Sequence, residues 1–407
     1  MLFPGVTTAQ RRTLIAAALG WALDAFDVML YAMVVAYVMR DLHINKATVG
    51  LLNTFTLLAS GIGGLLFGWI ADRLGRTRAL MLSIATYSVC SFASGLSTSV
   101  QMLAACRFLL GLGMGGEWNT GATLVAETWP THLRAKAIAV VQSSWAWGYA
   151  AAALVAGSIL QHFHNWRYVF FVGIAPALVI LWVRSSVPES EMWQQQSREA
   201  ARPKTGPAVR LSRKDLRNGL TLLLLNFFGL FAWWGLFTWI PPYLSLPSEQ
   251  GGRGFSQLGT TTFLVFLNLA GMFPGYISFG FVADRLGRRP AFFIYLFAAA
   301  CAVPIYAMAR RPWEILLLGA VVAFFGTGFF SGSGIVGAEL FPTRLRARAL
   351  GFTYNGARML SSIAPYTIGA LSLHRGLSGA FLVCAVSFLL AACTSLFLPE
   401  TRGQELA

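Results

Sequence analysis

The chain is predicted to be an all-α integral membrane protein, with twelve transmembrane helices arranged as two pseudo-symmetric six-helix bundles. Three observations carry this reading. The sequence is 56% hydrophobic and only 12% charged, where a soluble domain carries about 25% charged residues. Apolar stretches of about 18 residues or more, each long enough to cross a bilayer, recur along its whole length. Polar punctuation inside this apolar chain also appears twice at a fixed offset. Gly68-Trp-Ile-Ala-Asp72-Arg73-Leu-Gly75-Arg76 returns 212 residues later as Gly280-Phe-Val-Ala-Asp284-Arg285-Leu-Gly287-Arg288.

A second pair keeps that offset: Glu127-Thr-Trp-Pro130-Thr-His-Leu-Arg134-Ala-Lys136 and Glu339-Leu-Phe-Pro342-Thr-Arg-Leu-Arg346-Ala-Arg348. Val187-Pro188-Glu189-Ser and Leu398-Pro399-Glu400-Thr form a third, one residue off register. Soluble solenoid repeats run about 20–50 residues, so the period points instead to two membrane repeats.

Spans are expected near 13–38, 48–71, 79–98, 100–126, 137–160 and 167–184, then 218–244, 258–282, 290–308, 313–338, 349–371 and 377–398. Residues 1–186 form the first bundle, 187–217 a linker and 218–407 the second bundle. Arg11 and Arg12 lead into a span too long for a signal core, so no cleavable signal peptide is expected. The hydrophilic stretch 185–217, with Pro188, Pro203, Gly206, Pro207 and a basic run to Arg217, reads as a short surface helix followed by a tether.

A net charge of +15 invites a nucleic-acid reading, but its distribution argues against one. With a cytoplasmic N-terminus, 22 of the 31 Lys and Arg fall in cytoplasmic segments and 7 in outward loops. That bias follows the positive-inside rule and places both termini in the cytoplasm. The two remaining arginines, Arg107 and Arg358, lie inside spans.

Cys90, Cys106, Cys301, Cys384 and Cys393 all lie in apolar spans without C-x-x-C spacing, so they read as small core residues. The histidines fall in predicted loops. Gly111-Leu-Gly113-Met-Gly115-Gly116 and Gly332-Ser-Gly334-Ile-Val-Gly337 match a dinucleotide fingerprint but follow no strand, so they read as helix-packing glycines, as does Gly64-x-x-x-Gly68. No nucleophile–base pair, metal-ligand spacing or phosphate loop appears. The chain is not expected to be an enzyme or to need a cofactor or metal.

Together these residues resemble the major facilitator superfamily. The doubled G-x-x-x-D-R-x-G-R, Arg107-x-x-x-Gly111-x-Gly113 on span 4, and Pro-Glu-Ser and Pro-Glu-Thr-Arg-Gly after spans 6 and 12 carry the resemblance over nearly the whole chain. Asp24-Ala-Phe-Asp27 is similar to the D-G-F-D of organic-acid/proton symporters, with Ala25 where the family has glycine. Arg107 through Glu117, Glu127-Thr-Trp-Pro and Asn165-Trp-Arg167 are most similar to the sialic acid and lactate/proton symporter branch. The resemblance implies a proton-coupled carrier of small carboxylates in the cell inner membrane, acting as a monomer, with protons as the coupling ion.

Ionisable groups at mid-bilayer cost several kcal/mol unless paired or wetted. At 1.5 Å per residue, Asp27 on span 1 and Arg107 on span 4 both lie about 20 Å from the cytoplasmic side. Asp24, three residues earlier, shares the face of Asp27. Two carboxylates beside one arginine can hold one proton between them, or form a static ion pair. Glu117 lies nearer the cytoplasm, as a proton exit, an inner-gate group or a structural one.

Arg358, about 14 Å into span 11, has no acid deep in the spans of its own half, where Glu314 and Glu339 stand only at span ends. It reads either as a bidentate anchor for a carboxylate or as a partner of Glu117 or a span-1 aspartate. Gly351, Asn355, Arg358 and Pro365 resemble the span-11 pattern of the organic-acid symporters. Asn355, Gln142, Asn226 and Trp233 are the candidate substrate contacts, with at most one of Trp233 and Trp234 expected to face a cavity.

The helix-end charges Asp72, Arg73, Arg76, Glu127, Arg134 and Glu189, with Asp284, Arg285, Arg288, Glu339, Arg346 and Glu400, are expected to form a cytoplasmic gate. Each wet pair contributes only about 0–1 kcal/mol, so only a network can hold it. A neutral-sugar or drug carrier of the same fold, and a non-transporting membrane sensor, are the competing readings.

Overall fold

The computed structural model describes residues 5–190, 193–194, 212–341 and 343–402; the side chains at 119, 131, 132, 135, 338, 343–348 and 350 lie outside the described set. Most of the linker and the Arg346 side chain therefore fall outside it. Every regular element among the described residues is helical.

The first half runs through α1 (Thr8–Asp41), α2 (Lys46–Leu74), α3 (Arg76–Gly95), α4 (Val100–Thr128) and α5 (Thr131–Phe163). It closes with α6 (Trp166–Phe171), a 3-10 turn and α7 (Ala177–Ser186). The second half holds α8 (Arg213–Phe237), α9 (Ile240–Ser245), α10 (Gln257–Phe266), a π-helical stretch Leu267–Met272 and α11 (Phe273–Leu286). It continues through α12 (Arg288–Met308), α13 (Pro312–Leu340), α14 (Thr343–Ser361) and α15 (Ala364–Ser395).

Nine stretches among the described residues are long and apolar enough to cross a membrane. The expected spans 79–98 and 100–126 coincide with α3 and α4. The last two expected spans merge into one helical run that breaks at Gly376, whose φ of 65° and ψ of 169° are non-helical.

Polar residues start the helices where the chain turns. Thr7 and Gln10 form a capping box for α1, and Ser212 and Asp215 form one for α8. Asn45, Ser99 and Ser256 accept from the first turns of α2, α4 and α10. Each satisfies an N–H that the helix leaves unpaired.

Helices α3 and α12 are capped from a distance. Gly75 (φ 104°) and Gly287 (φ 103°) turn the chain sharply out of α2 and α11, a conformation that suits glycine. Glu189 then accepts from the N–H groups of Arg76 at 2.8 Å and Thr77 at 3.2 Å. Glu400 does the same for Arg288 at 2.9 Å and Arg289 at 3.1 Å.

Within each half the helices pack closely, α2 and α3 on α4, α1 on α5, and α8 and α12 on α15. A side chain on Gly111 or Gly115 would strike the α2 carbonyls of Thr56 or Ser60, as expected of packing glycines. Gly68 and Gly280 face open space instead, so their place in the repeat has no packing cause here.

The halves meet along a seam between α2 and the α14–α15 region and between α5 and α10–α11. The start of α1, the end of α7, the start of α8 and the end of α15 lie at one face, here the linker face. Hydrogen bonds across the seam lie toward the opposite face: Lys46 Nζ to the Gln250 carbonyl at 2.5 Å, Asn53 Nδ2 to Thr238 Oγ1 at 3.0 Å and Tyr149 Oη to the Phe237 carbonyl at 3.1 Å. Gly50 lies against the Pro365 carbonyl and Gly369 against that of Lys46, so the backbones nearly touch there.

Candidate functional site

Five ionisable side chains are buried midway along the helices. Asp24 is 1% exposed, Asp27, Arg107 and Glu117 are 0% and Arg358 is 3%. Burying a charge costs several kcal/mol unless it is paired, so such a group is not there for packing.

The two span-1 aspartates do not share one arginine as the sequence suggests. Asp27 accepts a hydrogen bond from Ser91 of α3 at 3.0 Å, and Arg107 forms no ion pair with it within 4.0 Å among the described residues. The Arg107 guanidinium instead lies over the Tyr31 ring at 4.6 Å, while acting on Asp27 through space. Asp24 belongs to a second group: its carboxylate and that of Glu117 both feel the charge of Arg358 from the other half. The three-residue spacing puts the aspartates about 60° apart around α1, enough for one to look into the first half and the other toward the seam.

Glu117 presses against α1, where a Cβ on Gly20 would strike its carboxylate. The described hydrogen bonds pair neither of its oxygens, neither Asp24 oxygen, nor any Arg107 nitrogen.

Aromatic rings line the seam at this level. Trp21 packs on Trp118 at 4.6 Å and on Trp145 at 4.7 Å, and Trp145 reaches Trp233 at 5.8 Å and Trp234 at 6.0 Å. Both α8 tryptophans thus touch the same α5 ring. Trp233 and Trp234 also pack edge-to-face on each other at 4.8 Å, and Trp145 stands edge-on to both at interplanar angles of 72° and 89°. Trp21 and Trp118 complete a wall that periodicity did not reveal.

The remaining candidates divide. Gln142 is buried with its carbonyl oxygen unpaired, and Asn355 is buried one turn before Arg358. Asn226 is already engaged, its Oδ1 accepting from Ser333 at 2.7 Å.

The helix-end charges form two matching clusters. Arg76 binds Asp72 at 2.6 Å and Glu127 at 3.1 Å; Arg288 binds Asp284 at 2.6 Å and Glu339 at 3.1 Å. Partial burial disfavours the charge on each arginine, but these carboxylates more than restore it and hold both above their ordinary value. Arg73 stacks on Trp69 at 4.1 Å, the Arg285 carbonyl accepts from Arg402 at 2.8 Å, and the Arg134 Nε is buried. Each cluster stays inside its own half. Among the described residues no ion pair joins the two, so in this conformation these charges knit helix ends together and do not clasp the halves.

The chain belongs to the Major Facilitator Superfamily, whose profile matches residues 17–277 and 252–406. It is thus a multi-pass membrane transporter and not an enzyme. It is 34% identical to a probable 4-methylmuconolactone transporter of Cupriavidus pinatubonensis, over 97% of this chain and 91% of that one. It is 33% identical to a cis,cis-muconate transport protein of Acinetobacter baylyi (93% and 92%) and 31% identical to the sialic acid transporter NanX of Escherichia coli (94% and 92%). The fold is similar to that of a D-xylose–proton symporter, with a TM-score of 0.79 at 19% identity over 98% of this chain and all of that one.

Proposed function

We propose that this chain is a proton-coupled symporter of a small organic acid, working by alternating access of residues 1–186 against 218–407, with 187–217 as the tether. The observation that carries the reading is Arg358, buried at the seam, whose charge acts through space on two carboxylates of the opposite half, Asp24 and Glu117.

Charge counting supplies the coupling. Three buried acids, Asp24, Asp27 and Glu117, meet two buried arginines, Arg107 and Arg358, an excess of one negative charge (3 − 2 = 1). An entering carboxylate raises that excess to two. Unpaired buried charge is expensive, so the cheapest compensation is a proton arriving with the substrate. Arg358 takes the substrate carboxylate in a planar two-bond grip, Asn355 and Gln142 supply hydrogen bonds, and Trp145, Trp233 and Trp234 supply flat apolar walls. Asp27 holds the coupling proton, with Arg107 tuning it and Asp24 and Glu117 relaying the change at Arg358. Asn226, bonded to Ser333, shapes the wall from behind.

The positive-charge bias puts the linker face in the cytoplasm, in the cell inner membrane of a monomeric carrier. The tight seam then lies outside, and this conformation faces inward. Alternation brings the charge clusters of the two halves together at the linker face, where they gate the reverse conformation. The carboxylate relatives favour this reading over a neutral-sugar or drug carrier, and a sensor has no need of buried charges at a repeat interface.

Radiolabelled uptake into proteoliposomes, with cis,cis-muconate, 4-methylmuconolactone and other mono- and dicarboxylates under an imposed pH gradient, tests it. Accumulation that collapses with the gradient is the expected result. Uptake of neutral sugars with no carboxylate transported would overturn it.

A further inference from the structure

Tyr87 of α3 has no place in the account above. It is fully buried, and its hydroxyl makes no hydrogen bond. Leu80, Ile84, Leu110 and Ile180 pack around it. A phenol oxygen left unpaired in such a place costs about 1–3 kcal/mol, and phenylalanine would fill the space without that cost.

The helices beside it carry acids on either side of its level. Tyr87 is level with Gly113 of α4, where an added Cβ would meet the Tyr87 nitrogen at 2.7 Å. One turn along α3 toward the opposite face, Ser91 holds Asp27 at 3.0 Å. One turn along α4 toward the linker face stands Glu117. Helical side chains lean toward their own N-terminus, which for α3 is the linker face, so the phenol leans toward the Glu117 level. The charged groups acting on it are Glu117 of α4 and Asp24 and Asp27 of α1; Arg107 lies over Tyr31, and Ile180 of α7 packs against the Tyr87 cluster.

We propose that Tyr87 is the proton way-station between Glu117 and Asp27, on a route inside the first half and off the substrate path. As Glu117 gives its proton to the phenol oxygen, the phenol's own proton passes to the Asp27 carboxylate. One O–H bond breaks and one forms at each end, and the phenol is neutral before and after. Because the hydroxyl bonds to none of the three carboxylates in this conformation, the relay closes only when α1 and α4 shift against α3, so the transport movement itself times the proton.

This rests on the symport reading, and the test separates the two. Purified protein is given a pH jump while the carboxyl infrared bands are followed in time, with bands assigned from Asp27→Asn and Glu117→Gln. With the opposite face sealed, protons reach Glu117 first. In Tyr87→Phe, Glu117 keeps its rate while Asp27 lags by about a hundredfold, the low end of what a positioned proton carrier contributes. An Asp27 band that forms at the parent rate in Tyr87→Phe overturns the relay alone. If Asp27→Asn removes no titrating band from the parent, both the relay and the proton-coupling reading fall. Should Tyr87→Phe not fold, the parent in heavy water decides: Asp27 slowing severalfold more than Glu117 supports the relay, and equal slowing overturns it.

Discussion

The Asp27 carboxylate accepts its hydrogen bond from Ser91, and Gly173 closes over the pair so tightly that a single methyl there would meet the Ser91 Cβ at 2.6 Å and Asp27 Oδ1 at 2.7 Å. The acid best placed to carry a proton is thus held by the first half alone, away from the seam where substrate would sit. On the symport reading, proton and substrate then occupy different sites joined by one helix, α1.

Asp27→Asn is expected to abolish accumulation driven by a pH gradient while leaving exchange of labelled substrate across the membrane. The change removes the titrating group and keeps the cavity. Gly173→Ala should mimic it in part, since the methyl must displace Ser91 or Asp27. Asp24→Asn should be milder for coupling, because Asp24 belongs to the Arg358 group. Full uphill transport by the Asp27 variant would sink the assignment.

Arg358→Ala should lose a charge-assisted bond of about 1.5–3 kcal/mol, weakening acid binding roughly 10- to 150-fold. Arg358→Lys keeps the charge but not the planar fork and should fall between. Trp145, Trp233 and Trp234 lie at the same seam, so quenching of tryptophan fluorescence reports binding without a pH gradient. Binding as tight as the parent's would move the anchor to Arg107.

Gly50→Leu should wedge the seam open. Its side chain would meet backbone atoms of Pro365 and Tyr366, which cannot rotate aside, and overpacking of this kind costs about 1–3 kcal/mol. Labelling of a cysteine at Asn53 from the opposite face should rise severalfold or more. Unchanged labelling would mean that this contact does not hold the conformation.

Gly75→Ala and Gly287→Ala should each destabilise their half by at least about 1–3 kcal/mol, the cost of a backbone region that is nearly glycine-only. The added methyls would also crowd Glu189 and Glu400. Thermal unfolding in detergent measures the loss. The two variants should behave alike, because the two turns are built alike.

Partial burial pushes the Glu400 carboxyl up, but N–H groups of Arg288, Arg402, Arg289 and Thr401 outweigh it and hold the group below the usual carboxylate value. A folded value below the unfolded one stabilises the fold fully above the unfolded value, and the contribution disappears as pH falls through the folded value. The parent should therefore melt above Glu400→Gln at neutral pH, with the difference vanishing below the ordinary carboxylate range. A gap independent of pH would assign the residue a purely geometric role.

Much of this protein is legible one residue at a time. The 212-residue offset, the length of the apolar runs and the buried Asp24, Asp27, Arg107, Glu117 and Arg358 all follow from the sequence, because a bilayer forces every span to be long, apolar and sparing of charge. The capping role of Glu189 and Glu400 was half visible, since Pro-Glu recurs in both halves while the helix ends it caps lie more than 100 residues away. What tertiary structure alone decided is who faces whom. Depth along a helix follows from counting residues, but azimuth does not: α1 turns Asp27 toward Ser91 and Asp24 toward Arg358, parting two acids that seemed to share Arg107. The same blindness hid Tyr87 and the Trp21–Trp118–Trp145 wall, since an aromatic on an apolar helix carries no mark of its neighbours. It also left open which carboxylates each helix-end arginine would bind: in this conformation Arg76 and Arg288 both find theirs within their own half. Hydrophobicity sets where a chain enters the membrane, whereas pairing is set by the rotation and packing of whole helices, which no local pattern encodes.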